Sequence, residues 1–330
     1  MNNDCHYSSP FAPAIEQFIN LKSATGQNCA WFKKCLKELD CFAFAEKLSQ
    51  PEMTPEFVEK WKKTQGNNSS STIYGKLTVW SMLAKYMNRN GYTTFVPRLP
   101  KKELKSFVPY IFTVEQIEKI FNECDAWRIK ALHSHSILFA LPALLRTLYS
   151  TGLRISEAVS IRNEDINKAE RYIHIRKTKN GSERLVPICE SLISVFNQYE
   201  YYKSKLPIQG TTLPESLYFI KADGGKVVGH SVYQIFRELL RKCNIPHHGK
   251  PNGPRVHDFR HTFAVHSLVQ LSNNGMDLYT AMPILSACMG HKCLSSTELY
   301  VRLTSSMYPE LQKQCSPINA FIYPKIYHHE

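Results

Sequence analysis

The chain has 330 residues, 43% of them hydrophobic, which is enough to bury a core in two domains and too apolar for wholesale disorder. Lysine plus arginine number 41 against 28 aspartate plus glutamate, a formal net charge of +13 that points to a polyanionic partner, either nucleic acid or an anionic membrane surface. Residues 1–100 hold 12 basic and 8 acidic side chains and the remainder 29 and 20, so the charge belongs to a folded surface, not to a tail.

Membrane insertion is excluded on length: the most apolar stretch, residues 137–145 (ILFALPALL), is far too short to span a bilayer and contains Pro142. The opening MNNDCHYSSP has no basic segment followed by an apolar run, so no secretory leader is read, and a cytoplasmic protein is expected. Ten cysteines form no CxxC pair and are read as reduced thiols. Cys288, His291 and Cys293 lie close together but match no zinc spacing, so no metal site and no cofactor is expected.

Residues 1–10 form an N-terminal extension. Residues 11–91 read as a small all-helical domain. Pro13 suits a first helical turn, with Ile15, Phe18 and Ile19 at helical spacing. A second helix carries Trp31, Phe32, Cys35, Leu36 and Leu39 on one face. Thr54-Pro55 is a cap followed by proline, opening a third helix through Phe57, Val58 and Trp61. The loop GNNSSS (66–71) leads to a fourth helix over 72–90, with Ile73, Leu77, Trp80, Leu83 and Met87 inward and Gly91 ending it.

Residues 92–112 change character. Pro97, Pro100 and Pro109 break helix, and Lys101, Lys102 and Lys105 add charge, so this is a basic linker able to lie along a phosphate backbone or to act as a solvated tether. A second domain opens at Thr113, where T-x-x-Q is a capping box. Helices dominate it. Residues 171–176 (RYIHIR) alternate, Asn180-Gly181 is a hairpin turn, and 183–188 (ERLVPI) alternate back; 217–220 (LYFI) reads as a further short strand. The fold class is therefore mainly α with a small β-hairpin or sheet.

Four segments of this domain carry candidate chemistry. They are STGLRISEA (150–158) with Arg154, the hairpin tip with Lys177 and Lys179, HDFRHTFAVH (257–266) with His257 and Arg260 on one helix face, and MGHKCLSSTELY (289–300) with His291 and Tyr300. Each alone is ordinary surface, polar face or packing. Their order is not.

The succession Arg154, Lys179, His257-x-x-Arg260, His291, Tyr300 resembles the catalytic set of the tyrosine recombinases, the phage-integrase family, and the flanking text TGLRISEA, TKNGSERLVPI and HDFRHTFA matches as well. The likeness covers residues 113–303, read as the catalytic domain. For 11–91 only the architecture is similar, that of a helical core-binding domain. SACMGH before His291, SST at 295–297 and a long SNNGMDLYTAMP loop depart from the usual family text without removing a catalytic group. Lys179 takes the family's lysine position by counting back from ERLVP, with Lys177 as the alternative; with the linker lysines, Lys177 is also a DNA-binding candidate.

The resemblance implies a site-specific recombinase that cleaves and rejoins duplex DNA through a 3′-phosphotyrosyl intermediate and a Holliday junction. Tyr300 is the nucleophile it implies. The two arginines would clamp the extra charge of a phosphorane, which lysine's point charge would not copy. His257 would accept the phenol proton, Lys179 would protonate the leaving 5′ oxygen, and His291 would bond a non-bridging oxygen. The implied partners are a specific duplex site, three further copies in a tetrameric synapse and accessory proteins. Integration or excision of a mobile element is the leading setting. Chromosome-dimer resolution, a type IB topoisomerase-like enzyme and a catalytically silent DNA-binding regulator are the alternatives. Residues 304–330 form an apolar, aromatic tail that must dock, either on its own domain or in trans on a neighbouring protomer.

Overall fold

Helix-starting residues fix the first unit. In the computed structural model, which describes residues 6–101, 108–130, 133–176, 183–249, 253–291 and 293–307, Pro13 sits in the first turn of α1 (Ala12–Ala24). Thr54 caps α3 (Pro55–Thr64) by accepting from Phe57 N–H, and Ser69 caps α4 (Ser70–Arg89) by accepting from Thr72 N–H. With α2 (Ala30–Ala45), these helices bury Phe18, Leu36, Leu39, Trp61, Leu77, Trp80 and Leu83 in one core, where the two indoles lie 4.3 Å apart. Trp31 departs from the expectation. It is 43% exposed and lies over Gly75, because the inward stripe of α2 runs through Cys35, Leu36, Leu39 and Ala43. The chain after α4 returns to this core: Thr94 is fixed by Asn88 and by Met53 N–H, and Phe95 and Val96 pack on the helices.

Contacts divide the chain into two units, Met1–Ser106 and Phe107–Glu330. In the second, Thr113 and Gln116 form the capping box of α5 (Val114–Ile129). α6 (Leu141–Thr151) and the single turn α7 (Ile155–Ala158) follow. A three-stranded antiparallel sheet comes next, in the order β1 (Ile166–Asn167), β2 (Tyr172–Ile175), β3 (Arg184–Pro187), with Ile173 opposite Val186 and Ile175 opposite Arg184. α8 (Glu190–Ser204) and α9 (Gly229–Lys242) close the main core around Leu144, Phe196, Phe219, Phe236 and Phe259.

LYFI does not form a strand. Tyr218 and Phe219 are buried in the core, and side chains satisfy the backbone: Lys203 donates to the carbonyls of Leu217 and Tyr218, and Ile220 N–H donates to the Tyr199 hydroxyl. Only isolated bridges form here, Arg162 with Leu217 and Ile220 with Lys226.

The last three helices, α10 (Asp258–Asn273), α11 (Leu278–Met289) and α12 (Ser295–Met307), share a separate apolar cluster of Val265, Leu268, Leu285, Met289, Tyr300 and Val301. Among the described residues no helix is long and apolar enough to cross a membrane, and no group of three or more His, Cys, Asp or Glu is placed to hold a metal ion. The tail beyond Met307, with its cis or trans docking, lies outside the described residues.

Candidate active site

A glycine turn places Arg154. Gly152 ends α6 in the left-handed region at φ +62°, and a Cβ there would stand 2.3 Å from the Phe263 ring. Leu153 is buried, and Arg154 becomes the N-cap of α7. Its backbone N–H and its Nη1 both donate to Glu157, at 3.0 and 2.8 Å. Glu157 is almost wholly buried. Burial alone would raise its pKa, but hydrogen bonds from Arg184 and Arg154 outweigh it and hold the carboxyl below the usual glutamate range.

Arg260 ties two turns together. One helical turn into α10, its Nη1 donates to the Gly152 carbonyl and its Nη2 to the Met289 carbonyl, both at 2.7 Å. The side chain is 2% exposed. Desolvation, then the charge of Arg154, pulls the guanidinium down to about 10, so it stays cationic at neutral pH.

Gly290 ends α11 at φ +67° and delivers His291, whose Nδ1 lies 2.8 Å from Thr297 Oγ1. Desolvation and the surrounding arginines push this imidazole down to about 4. Its ring stacks on that of Tyr300 at 6.2 Å and 13°. Tyr300 is 4% exposed; burial raises its pKa, while Arg260 and Arg154 pull it back. His257, just before α10, is half-buried and is held below the ordinary histidine range by desolvation and by Arg260.

Five of the expected residues thus converge from three segments: Arg154 from 150–158, His257 and Arg260 from 257–266, and His291 and Tyr300 from 289–300. The phenol's partner is not the expected His257. Tyr300 Oη lies 2.9 Å from His261 Nδ1, and His257 lies one ring further off, 5.0 Å from His261 between centroids. Lys177 and Lys179 lie outside the described residues, as do Lys102 and Lys105; β2 and β3 are the strands that lead to and from the lysine tip. Lys101 is exposed on the first unit.

Three residues of the site, Glu157, Arg184 and His261, lie inside the motif text but carry no role in the sequence analysis. A Glu three residues after a cap position, and a second histidine one turn after His257, are the local signals that mark two of them.

The mainly helical unit with its small antiparallel sheet is the fold of a tyrosine recombinase catalytic domain. The family model described as the phage integrase family matches residues 111–307, and the chain belongs to that family: it is a site-specific recombinase that cleaves and rejoins DNA. Among curated relatives, the putative integrase/recombinase y4rB of Sinorhizobium fredii is 26% identical over 93% of this chain and 96% of its own length. The tyrosine recombinase XerC of Chlamydia caviae is 28% identical over 77% of this chain and 74% of its own. Two solved structures share the fold. XerH site-specific recombinase bound to palindromic difH substrate, in a post-cleavage complex, has a TM-score of 0.60 at 16% identity and covers 85% of this chain and 77% of that one. The Tn1549 transposon integrase in complex with circular intermediate DNA has a TM-score of 0.59 at 18% identity and covers 89% and 95%.

Proposed function

We propose that Tyr300 attacks the scissile phosphate of a specific duplex site and holds the cut strand as a 3′-phosphotyrosine. The observation that carries this reading is the burial of one phenol in ring contact with His291 and within the field of Arg260 and Arg154. Guanidinium forks match phosphoryl oxygens, and cations fixed where charge develops in the transition state need no reorganisation during reaction. Arg154 keeps a partly exposed face for the phosphate, while Arg260 is locked by two carbonyls. His257 and His291 bond the non-bridging oxygens. Lys179, with Lys177 as the alternative, protonates the leaving 5′ oxygen.

The phosphotyrosine conserves the energy of the broken bond, so the 5′ hydroxyl of a second strand can reverse the step without ATP. Strand exchange through a Holliday junction needs that reversibility. The working assembly is four protomers on two sites, with accessory proteins where the site requires them and the nucleoid as the place of work. The helical first unit is the core-binding domain, and Lys101, Lys102 and Lys105 of the linker meet the phosphate backbone. Integration and excision of a mobile element is the setting we favour, supported by the near end-to-end match to an integrase/recombinase. Chromosome-dimer resolution is the second reading.

The test is a duplex selected by this protein from a randomised pool and nicked beside the cut, which traps the covalent adduct. Tyr300→Phe is expected to abolish the adduct and keep DNA affinity within a few-fold. An adduct formed by that variant would remove Tyr300 as nucleophile.

A further inference from the structure

We infer that His261 is a catalytic residue of this recombinase, the group that orients the Tyr300 phenol and takes its proton as the phenol oxygen attacks phosphorus. The inference rests on the reading of Tyr300 as nucleophile.

Geometry points to His261. Its Nδ1 is 2.9 Å from Tyr300 Oη, in a setting where histidine and tyrosine are both buried. The ring's other nitrogen, Nε2, faces the Asp258 carboxylate at 4.0 Å. That carboxylate is itself held by Arg255, through the backbone N–H at 2.7 Å and through Nε and Nη2. That carboxylate is beyond hydrogen-bond reach of Nε2, but its negative charge on that side favours the tautomer with its proton there, which leaves the Nδ1 lone pair for the phenol O–H. Tyr300 and His261 therefore form a pair in which the nucleophile donates to a neutral imidazole, with the Asp258 charge on the far side of the ring, the arrangement that activates a hydroxyl.

The surroundings keep the imidazole neutral. His257, Asp258 and Arg260 face it from its own helix, Arg255 from the preceding loop, Tyr300 from α12 and His291 from the turn before α12. Burial first, then His257 and the cations Arg255 and Arg260, push its pKa down to about 3. A base this weak does not ionise a resting phenol. The scissile phosphate changes both partners: its negative charge between Arg154 and Arg260 offsets the cations that depress His261, and bond formation to phosphorus makes the phenol oxygen a far weaker base. The step then balances. The Oη–P bond forms, the Oη proton passes to Nδ1, the P–O5′ bond breaks, and O5′ takes a proton from the hairpin lysine. Rejoining runs the same transfers backward.

Asparagine separates holding from proton transfer, because its amide oxygen can stand near the place of Nδ1 but does not accept a proton at working pH. With the selected, nicked duplex in single turnover, His261→Asn is expected to bind DNA within a few-fold of wild type. Its adduct should form about 10²–10⁴-fold more slowly at pH 7. The deficit should shrink about tenfold per pH unit between 6 and 9, as solution deprotonation of the phenol replaces the base. A rate within threefold of wild type, or a loss with the wild-type pH profile, would overturn the proposal. His261→Gln gives the same comparison if asparagine unfolds the site. A measurement free of any His261 variant is the ¹⁵N signal of His261 Nδ1, expected to move between wild type and Tyr300→Phe; an unmoved signal also overturns the proposal. Adduct formation by Tyr300→Phe would overturn the underlying assignment of the nucleophile, whereas a fast His261→Asn would overturn the proton route alone.

Discussion

Arg184 grips Glu157 from across the sheet: its Nη2 donates to Glu157 Oε2 at 2.9 Å, while its Nε donates to the Cys288 carbonyl at 2.9 Å. One guanidinium thus joins three segments that carry chemistry. Through Glu157 it reaches Arg154, through Cys288 it reaches the turn that presents His291, and through β3 it anchors the hairpin of the lysine tip. The fit is close, because a Cβ on Gly290 would stand 2.9 Å from Arg184 Nη1.

Arg184→Ala should therefore lower both stability and rate. A hydrogen bond to a charged group contributes roughly 1.5–3 kcal/mol, and among the described residues Glu157 would retain only Arg154 as counter-ion. Adduct formation is expected to fall by at least tenfold with DNA affinity nearly kept, and urea unfolding should show the stability loss. Glu157→Gln should copy the rate effect, since it leaves both guanidiniums without their carboxylate. Wild-type cleavage by either variant would mean that the three segments hold their places without this bridge.

The order Arg154, His257, Arg260, His291, Tyr300 was legible because each residue sits in a short local motif with a turn or cap that survives on its own. The bridges were not legible in that way. Arg184 meets Glu157 across 27 positions and Cys288 across 104, and His261 meets Tyr300 across 39. Such pairings belong to tertiary packing, and no periodicity encodes them. The hairpin was readable from Asn180-Gly181 between alternating runs. LYFI was misread because its apolar run is buried with Lys203 and Tyr199 serving its backbone, a substitution of side chains for a neighbouring strand that composition does not announce.

Histidines held neutral make the protein sensitive to acid. His261 and His291 are pushed down to about 3 and about 4, against 6.5 for a free side chain. Between those values the unfolded chain binds protons that the folded chain does not, so stability rises with pH across this window and is lost as pH falls from about 6.5 toward 4. Below that range Glu157, whose folded pKa is lowered, adds a further loss as its carboxylate protonates. Urea midpoints measured at half-unit steps from pH 7.5 to 4 should fall steadily, and His291→Gln should flatten the slope. A slope unchanged by that substitution would show that His291 titrates in the folded protein as it does in the unfolded chain.

The hairpin lysine is open to a chemical test. If Lys179 protonates the departing 5′ oxygen, Lys179→Ala should slow adduct formation by about 10²–10⁴-fold on ordinary DNA. Replacing the bridging 5′ oxygen by sulfur removes the need for that proton, because a thiol's pKa of about 8.5 makes thiolate a competent leaving group. On the selected duplex with a 5′-bridging phosphorothiolate at the cut, Lys179→Ala should approach the wild-type rate. His261→Asn should remain slow on the same substrate, since its defect lies on the attacking side. Lys177→Ala serves as the comparison: if it, and not Lys179→Ala, is rescued by sulfur, the acid is Lys177 and the register of the tip is shifted by two. If neither is rescued, the leaving oxygen takes its proton from elsewhere, and the tip acts only by contacting the DNA backbone.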